Sequence, residues 1–182
     1  LAITATLIGG LALSSEIQAF AEDGYYGDSV ILSRSSPYQR IVLTRWRDDP
    51  PVRGIGITMQ VEHGDLPPVI GDGPALREVL LNLVRNAIEA MPQGGILTIR
   101  TWADETLLSC SVSDTGIGMT PDVRRRAFEP FFTTKGPKTR GLGLAVNHGI
   151  VKRHRGTLTI ESIAGLGTTA VVSLPVADAP RV

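Results

Sequence analysis

Asp114 follows a half-buried strand pattern and is itself followed, two and four residues on, by Gly116 and Gly118, in the stretch SVSDTGIGMT (111–120). An acid with glycines at this spacing has two readings. One is a tight turn, since Gly accepts positive φ and Asp bonds its own backbone. The other is a ligand site, where the carboxylate meets a polar edge and the glycines admit a flat ring. A second chemical pair lies upstream in ALREVLLNLVRNAIEAM (75–91). Asn82 and Asn86 are four residues apart, with Glu78 and Glu89 on the same helical face. Asn is a poor helix former, by about a few tenths of a kcal/mol against Ala. A solvated face would be better served by Lys, Glu or Gln. Amide oxygens on one face also suit a hard cation such as Mg²⁺. Downstream, FEPFFTTK (128–135) gathers three phenylalanines and ends in Lys135, either a surface charge or a working one. RGLGLAV (140–146) puts Gly141, Leu142, Gly143 and Leu144 at a helix start, where free N–H groups favour an anion. Gly165, Gly167 and Thr168 lead into a last strand.

The elements that must position these residues are legible. In 75–91, Leu76, Val79, Leu80, Leu83, Ala87, Ile88 and Met91 fall at the spacing of a helix packed on a sheet. Asp72 is available as its cap, with Pro74 in the first turn. Strands are expected in GIGITMQVE, GILTIRTW, TLLSCSVS, GTLTIES and TTAVVSLP, and a second helix from near Gly143 to about His154. Strands and helices mix without strict alternation. That predicts a two-layer α/β sandwich, a mixed sheet with helices on one face.

Composition narrows the function. The 182 residues carry 18 basic and 18 acidic side chains, which implies no nucleic-acid surface. Cys110 is the single cysteine, so there is no internal disulfide and no multi-cysteine metal site. Its alternating apolar setting makes it a core filler.

Taken in order, these boxes resemble the ATP-binding catalytic domain of bacterial sensor histidine kinases, within the Bergerat-fold superfamily. The resemblance spans roughly 52–175, and NLVRNAIEAM with FEPFFTTK is similar to the nitrogen-regulation type. It implies ATP and Mg²⁺ as cofactors. Asn86 would hold the metal between the phosphates, with Asn82 beside it. Asp114 would accept from the adenine amino group, and Gly116 and Gly118 would let the backbone pass the base. Residues 119–140 would form the ATP lid, with Lys135 reaching the phosphates. The helix start at Gly141–Leu144 would bind phosphate oxygens, and Thr168 would support the adenine pocket through Asp114. Relatives that hydrolyse ATP carry a glutamate where Asn82 stands, which argues against hydrolysis.

In this family the phosphoacceptor is a histidine on a dimerising helix, followed by an acid and an Asn-Pro pair. His63, His148 and His154 do not fit that pattern. No catalytic residue is therefore assigned. The expected partners are a histidine-bearing dimerisation domain in trans and a response regulator downstream. The alternative is a non-catalytic nucleotide-binding module, or the relic of a gene fusion. The expected division is an apolar helix over 1–20, an orphan strand pair and linker over 21–51, the ATPase domain over 52–176 and a tail over 177–182. LAITATLIGGLAL reads as the cytoplasmic-side end of a membrane helix, with a surface or core helix as the alternative. The ATPase domain would then be cytoplasmic and anchored at the inner membrane. Residues 1–49, through SPYQRIVLTRW, resemble the start of a membrane-bound bacterial spermidine synthase. With that enzyme's sheet missing, strands near Ser29–Ser33 and Gln39–Arg45 are expected to pack poorly.

Overall fold

The structure is a computed structural model and describes residues 2–3, 29–33, 40–45, 55–63, 66–135 and 140–177. Its first long helix, α1 (Gly73–Glu89), starts where the sequence places it. The Asp72 carboxylate accepts the Ala75 N–H at 3.2 Å, and Pro74 occupies the first turn. Leu76, Val79, Leu83, Val84, Ala87 and Ile88 form its buried stripe. Fully burying such side chains contributes about 1.5–3 kcal/mol for each of the larger ones.

The stripe lies on a sheet whose strands are β2 (Ser29–Ser33), β3 (Arg40–Arg45), β4 (Ile55–His63), β6 (Gly95–Ala103), β7 (Leu107–Asp114), β8 (Thr157–Ile163) and β9 (Gly167–Pro175), in the order β2-β3-β4-β6-β7-β9-β8. β4 and β6 are parallel, because α1 carries the chain back across the sheet between them. The other pairs are antiparallel. Alternate residues face the helices: Leu97 and Ile99, Leu108, Cys110 and Val112, then Ala170, Val172 and Leu174. Helix α3 (Gly143–Arg153) adds Ile150 and Val151 to this same core, so α1 and α3 share one face of the sheet. On the opposite face, hydroxyls pair directly across strands, Ser109 with Ser173 and Ser113 with Thr169, each at 2.9 Å.

His154 joins the two helices. Its Nε2 accepts the Asp72 N–H at 2.9 Å, so Nδ1 carries the proton and donates to the Ile150 carbonyl at 2.8 Å. Gly71 leaves room for the ring, since a Cβ there would lie 2.7 Å from His154 Cδ2. His148 stacks on Phe128, with centroids 5.2 Å apart. Both histidines are packing residues.

Three expectations need correction. The strands near 29–45 are not orphans: β3 pairs antiparallel with β4 from Ile41↔Met59 to Arg45↔Ile55, and the hairpin extends the sheet. Ala2–Ile3, placed in an apolar helix, form a short strand β1 against β5 (Val69–Ile70). The rest of the proposed 1–20 helix lies outside the described residues. No helix among the described residues is long and apolar enough to cross a membrane. Finally, the stretch after Asp114 contains a short helix, α2 (Pro121–Arg126), capped by Thr120.

Candidate functional site

Asp114 is the last residue of β7, flanked by β6 at Leu97 and by β9 at Thr168. It is buried, and burial pushes its carboxyl above the usual aspartate value. The backbone N–H groups of Gly116 and Thr168 and the charge of Lys135 oppose that rise. The Gly116 N–H bond is 2.8 Å long. A carboxylate has about four acceptor positions. Two N–H groups leave capacity for an amine.

The glycines are needed where the loop meets the protein's own backbone. A Cβ on Gly116 would lie 2.3 Å from the Ala90 carbonyl oxygen at the end of α1. One on Gly118, at φ +61°, would lie 2.0 Å from the Ile163 oxygen. One on Gly167, at φ +113°, would lie 1.9 Å from the Asp114 oxygen. At each of these glycines the protein's own backbone fills the space a side chain would take. These contacts clamp the Asp114 loop between α1 and the β8–β9 hairpin. Ser162, which sequence reasoning missed, completes the clamp. Its hydroxyl accepts the Met119 N–H at 2.8 Å and donates to the Gly167 carbonyl at 2.9 Å. The Thr168 hydroxyl then donates to Ser162, also at 2.9 Å. Thr168 thus serves Asp114 through its main chain, and its side chain serves Ser162.

Asn82 and Asn86 make different hydrogen bonds. The Asn82 amide donates to Asn147 Oδ1 at 3.1 Å, and Asn147 in turn donates to the Val79 carbonyl at 3.3 Å. Asn147 is fully buried between α1 and α3. Its only sequence signal is an amide inside an otherwise apolar helix stretch, LAVNHGIV. One turn further on, Asn86 has different partners. Its amide oxygen accepts from Lys135 Nζ at 3.0 Å, and the same ammonium is paired with Glu89. The structure therefore brings Asn86, Lys135 and Asp114 into one neighbourhood, while the Asn82 amide N–H takes part in a helix-helix contact.

The loop from α2 to Lys135 is anchored by Phe128 on the core and by Arg126, whose guanidinium lies 4.1 Å above the Phe132 ring. The Phe131 N–H donates to the Gly141 carbonyl at 3.0 Å, and a Cβ on Gly141 would meet the Phe132 oxygen at 2.5 Å. Phe131 itself has φ +67° and stays exposed, an uncommon state for a non-glycine residue. Leu142 caps α3 without a side-chain hydrogen bond. The first N–H groups, from Gly143 and Leu144 on, are therefore not satisfied by a capping side chain. Leu144 packs on the core, while a Cβ on Gly143 would meet nothing within 4 Å.

Among the described residues there is no group of three His, Cys, Asp or Glu side chains suited to a metal. The donor that fits a hard cation is the Asn86 oxygen, which already receives a cation in the Lys135 ammonium. Such a donor set suits a metal carried on phosphates rather than one caged by protein.

A family model for the histidine kinase-, DNA gyrase B-, and HSP90-like ATPases matches residues 71–178. Sporulation kinase E of Bacillus subtilis is 42% identical over 113 residues, which are 62% of this chain and 15% of that kinase. The nucleotide-free catalytic domain of histidine kinase ThkA is 30% identical with a TM-score of 0.55, over 63% of this chain and 80% of that one. Full-length ShkA in complex with AMPPNP is 29% identical with a TM-score of 0.57, over 67% of this chain and 27% of that one. The chain thus spans a small part of the curated kinase it matches. The family model and these relatives give no support to the spermidine-synthase likeness of residues 1–49. The chain belongs to the histidine kinase-, DNA gyrase B-, and HSP90-like ATPase family, and it carries the ATP-binding catalytic domain of a sensor histidine kinase.

Proposed function

We propose that this domain binds ATP with Mg²⁺ and serves phosphoryl transfer to a histidine on a separate dimerising helix, from which a response regulator is supplied. The observation that carries this reading is the convergence of Asp114 from β7, Asn86 from α1 and Lys135 from the loop after α2. Asp114 accepts from the adenine amino group with the capacity that Gly116 and Thr168 leave. Asn86 offers its oxygen to the metal, which when bound neutralises phosphate charge. Lys135 and the N–H groups at Gly143 and Leu144 take phosphate oxygens, and Gly141 sets the turn before them. Phosphoryl transfer needs chiefly such positioning and charge stabilisation. Asn82, tied to Asn147, carries no carboxylate to activate water, which favours transfer over hydrolysis. If residues 1–20 anchor in the inner membrane, the domain works beside it.

Calorimetric titration of the full chain with a non-hydrolysable ATP analogue, with and without Mg²⁺, tests the binding. Radiolabel transfer from ATP to a supplied dimerisation domain tests the chemistry. Tight binding without transfer would leave a nucleotide-binding module. No binding by folded protein would remove the reading altogether.

A further inference from the structure

Glu89 has no part in the chemistry just described. It follows Asn86 by three residues, so both side chains leave one face of α1. Both receive the same ammonium: Lys135 Nζ donates to Asn86 Oδ1 at 3.0 Å and to a Glu89 carboxylate oxygen. The Lys135 backbone is held too, its N–H donating to Thr133 Oγ1 at 3.1 Å. A neutral amide oxygen is a poor competitor with water for an ammonium. The carboxylate beside it makes the contact a charge-assisted one. The two charged side chains are 36% and 29% exposed. A pair that open shifts an equilibrium by up to about five-fold. It biases where Lys135 rests and does not lock it there.

We propose that Glu89 is a positioning residue that rests the Lys135 ammonium on the Asn86 oxygen. The chain thereby carries its own cation at the place assigned to the metal, and that cation leaves when a metal-bearing nucleotide is received. The exchange half of this proposal rests on the ATP reading; the resting contact does not. Two cations on one amide oxygen repel each other, so metal and ammonium compete. Glu89 sets the competition by favouring the ammonium.

The chain has three lysines, Lys135, Lys138 and Lys152, and Lys152 is exposed on α3. Amine acetylation of the full chain without nucleotide, followed by mass spectrometry, reads the resting contact. Lys135 should react several-fold more slowly than Lys152, and Glu89→Gln should remove the difference while Glu89→Asp keeps part of it. Equal rates in the wild type, or protection that survives Glu89→Gln, would overturn the contact. Titration with a non-hydrolysable ATP analogue and Mg²⁺ reads the exchange. Glu89→Gln should tighten binding by about two- to five-fold, and should do nothing in a Lys135→Met background. Weaker binding in Glu89→Gln, or equal tightening without Lys135, would overturn the exchange. Absence of binding in folded wild type would instead overturn the ATP reading, and the acetylation result would still decide the contact.

Discussion

Asp114 and Asn86, assigned above to one proposed site, are held in opposite ways. Asp114 sits in a clamp made almost wholly of backbone, with Gly116, Gly118 and Gly167 each closed on a carbonyl and Ser162 bonding three neighbours. Asn86 accepts from a lysine that a glutamate also holds, both about one third exposed. Close backbone contact admits few alternatives, because any shift breaks hydrogen bonds or makes collisions. Half-exposed side chains can change partner at little cost. The difference fits the two tasks proposed for them: a base edge has one shape to be recognised, whereas phosphates and metal come and go.

The clamp is where the comparison breaks most easily. Gly167→Ala puts a methyl group 1.9 Å from the Asp114 oxygen at φ +113°. Strain at such a φ costs about 1–3 kcal/mol, and the collision adds to it. A loss of about 3 kcal/mol or more is expected in urea unfolding of the full chain. A loss below about 1 kcal/mol would mean that the hairpin yields freely and that the clamp is not rigid.

Asp114→Asn separates recognition from stability. Hydrogen bonds to charged groups contribute about 1.5–3 kcal/mol, so affinity for an ATP analogue should fall roughly ten- to hundred-fold. Stability should move the other way. The folded carboxyl titrates above the ordinary 3.8 because it is buried. Between 3.8 and that raised value the folded protein binds more protons than the unfolded chain. Wild-type stability therefore declines as pH rises through this window. The asparagine variant lacks that decline, so its melting temperature should gain on the wild type as pH rises above 3.8. A difference that stays flat with pH would place Asp114 in solvent.

The two sides also differ in how much of them was legible. The residue types of the clamp were visible in 111–120 and 165–168, but not the reason for the glycines. Nothing local says that the carbonyls of Ala90 and Ile163 will close on two of them. α1 was legible almost to the residue, since Asp72, Pro74 and the apolar spacing are all local signals. The short helix α2 had equally local signals in Thr120, Pro121 and Asp122, which were overshadowed by the basic and aromatic residues that follow. Pairing of β3 with β4, and of Asn82 with Asn147, depends on which strand edge and which helix face meet in space. For Asn82 the partner is 65 residues away. The spacing of Asn82 and Asn86 suggested a shared ligand, and tertiary packing gave their side chains different hydrogen-bond partners.

Asn147 tests that difference. Asn147→Ala leaves the Val79 carbonyl without this donor and Asn82 without its acceptor, inside the helix-helix contact. An unsatisfied buried group costs about 1–3 kcal/mol. A loss near 2 kcal/mol is expected in thermal unfolding, with nucleotide affinity corrected for folded fraction unchanged. A selective loss of affinity would tie the Asn82–Asn147 contact to the ligand site.

The smallest effect sharpens the comparison most. Lys135→Met removes the ammonium from Asn86 and Glu89 together. Because the pair is open to solvent, stability should change by less than about 1 kcal/mol, and raising the salt concentration should shrink even that. Gly167→Ala, a change of one methyl group, should cost several times more. A Lys135→Met loss as large as the glycine's would mean that the phosphate side is as rigid as the base side. The ammonium would then be a structural staple, and the exchange assigned to Glu89 would have no room to operate.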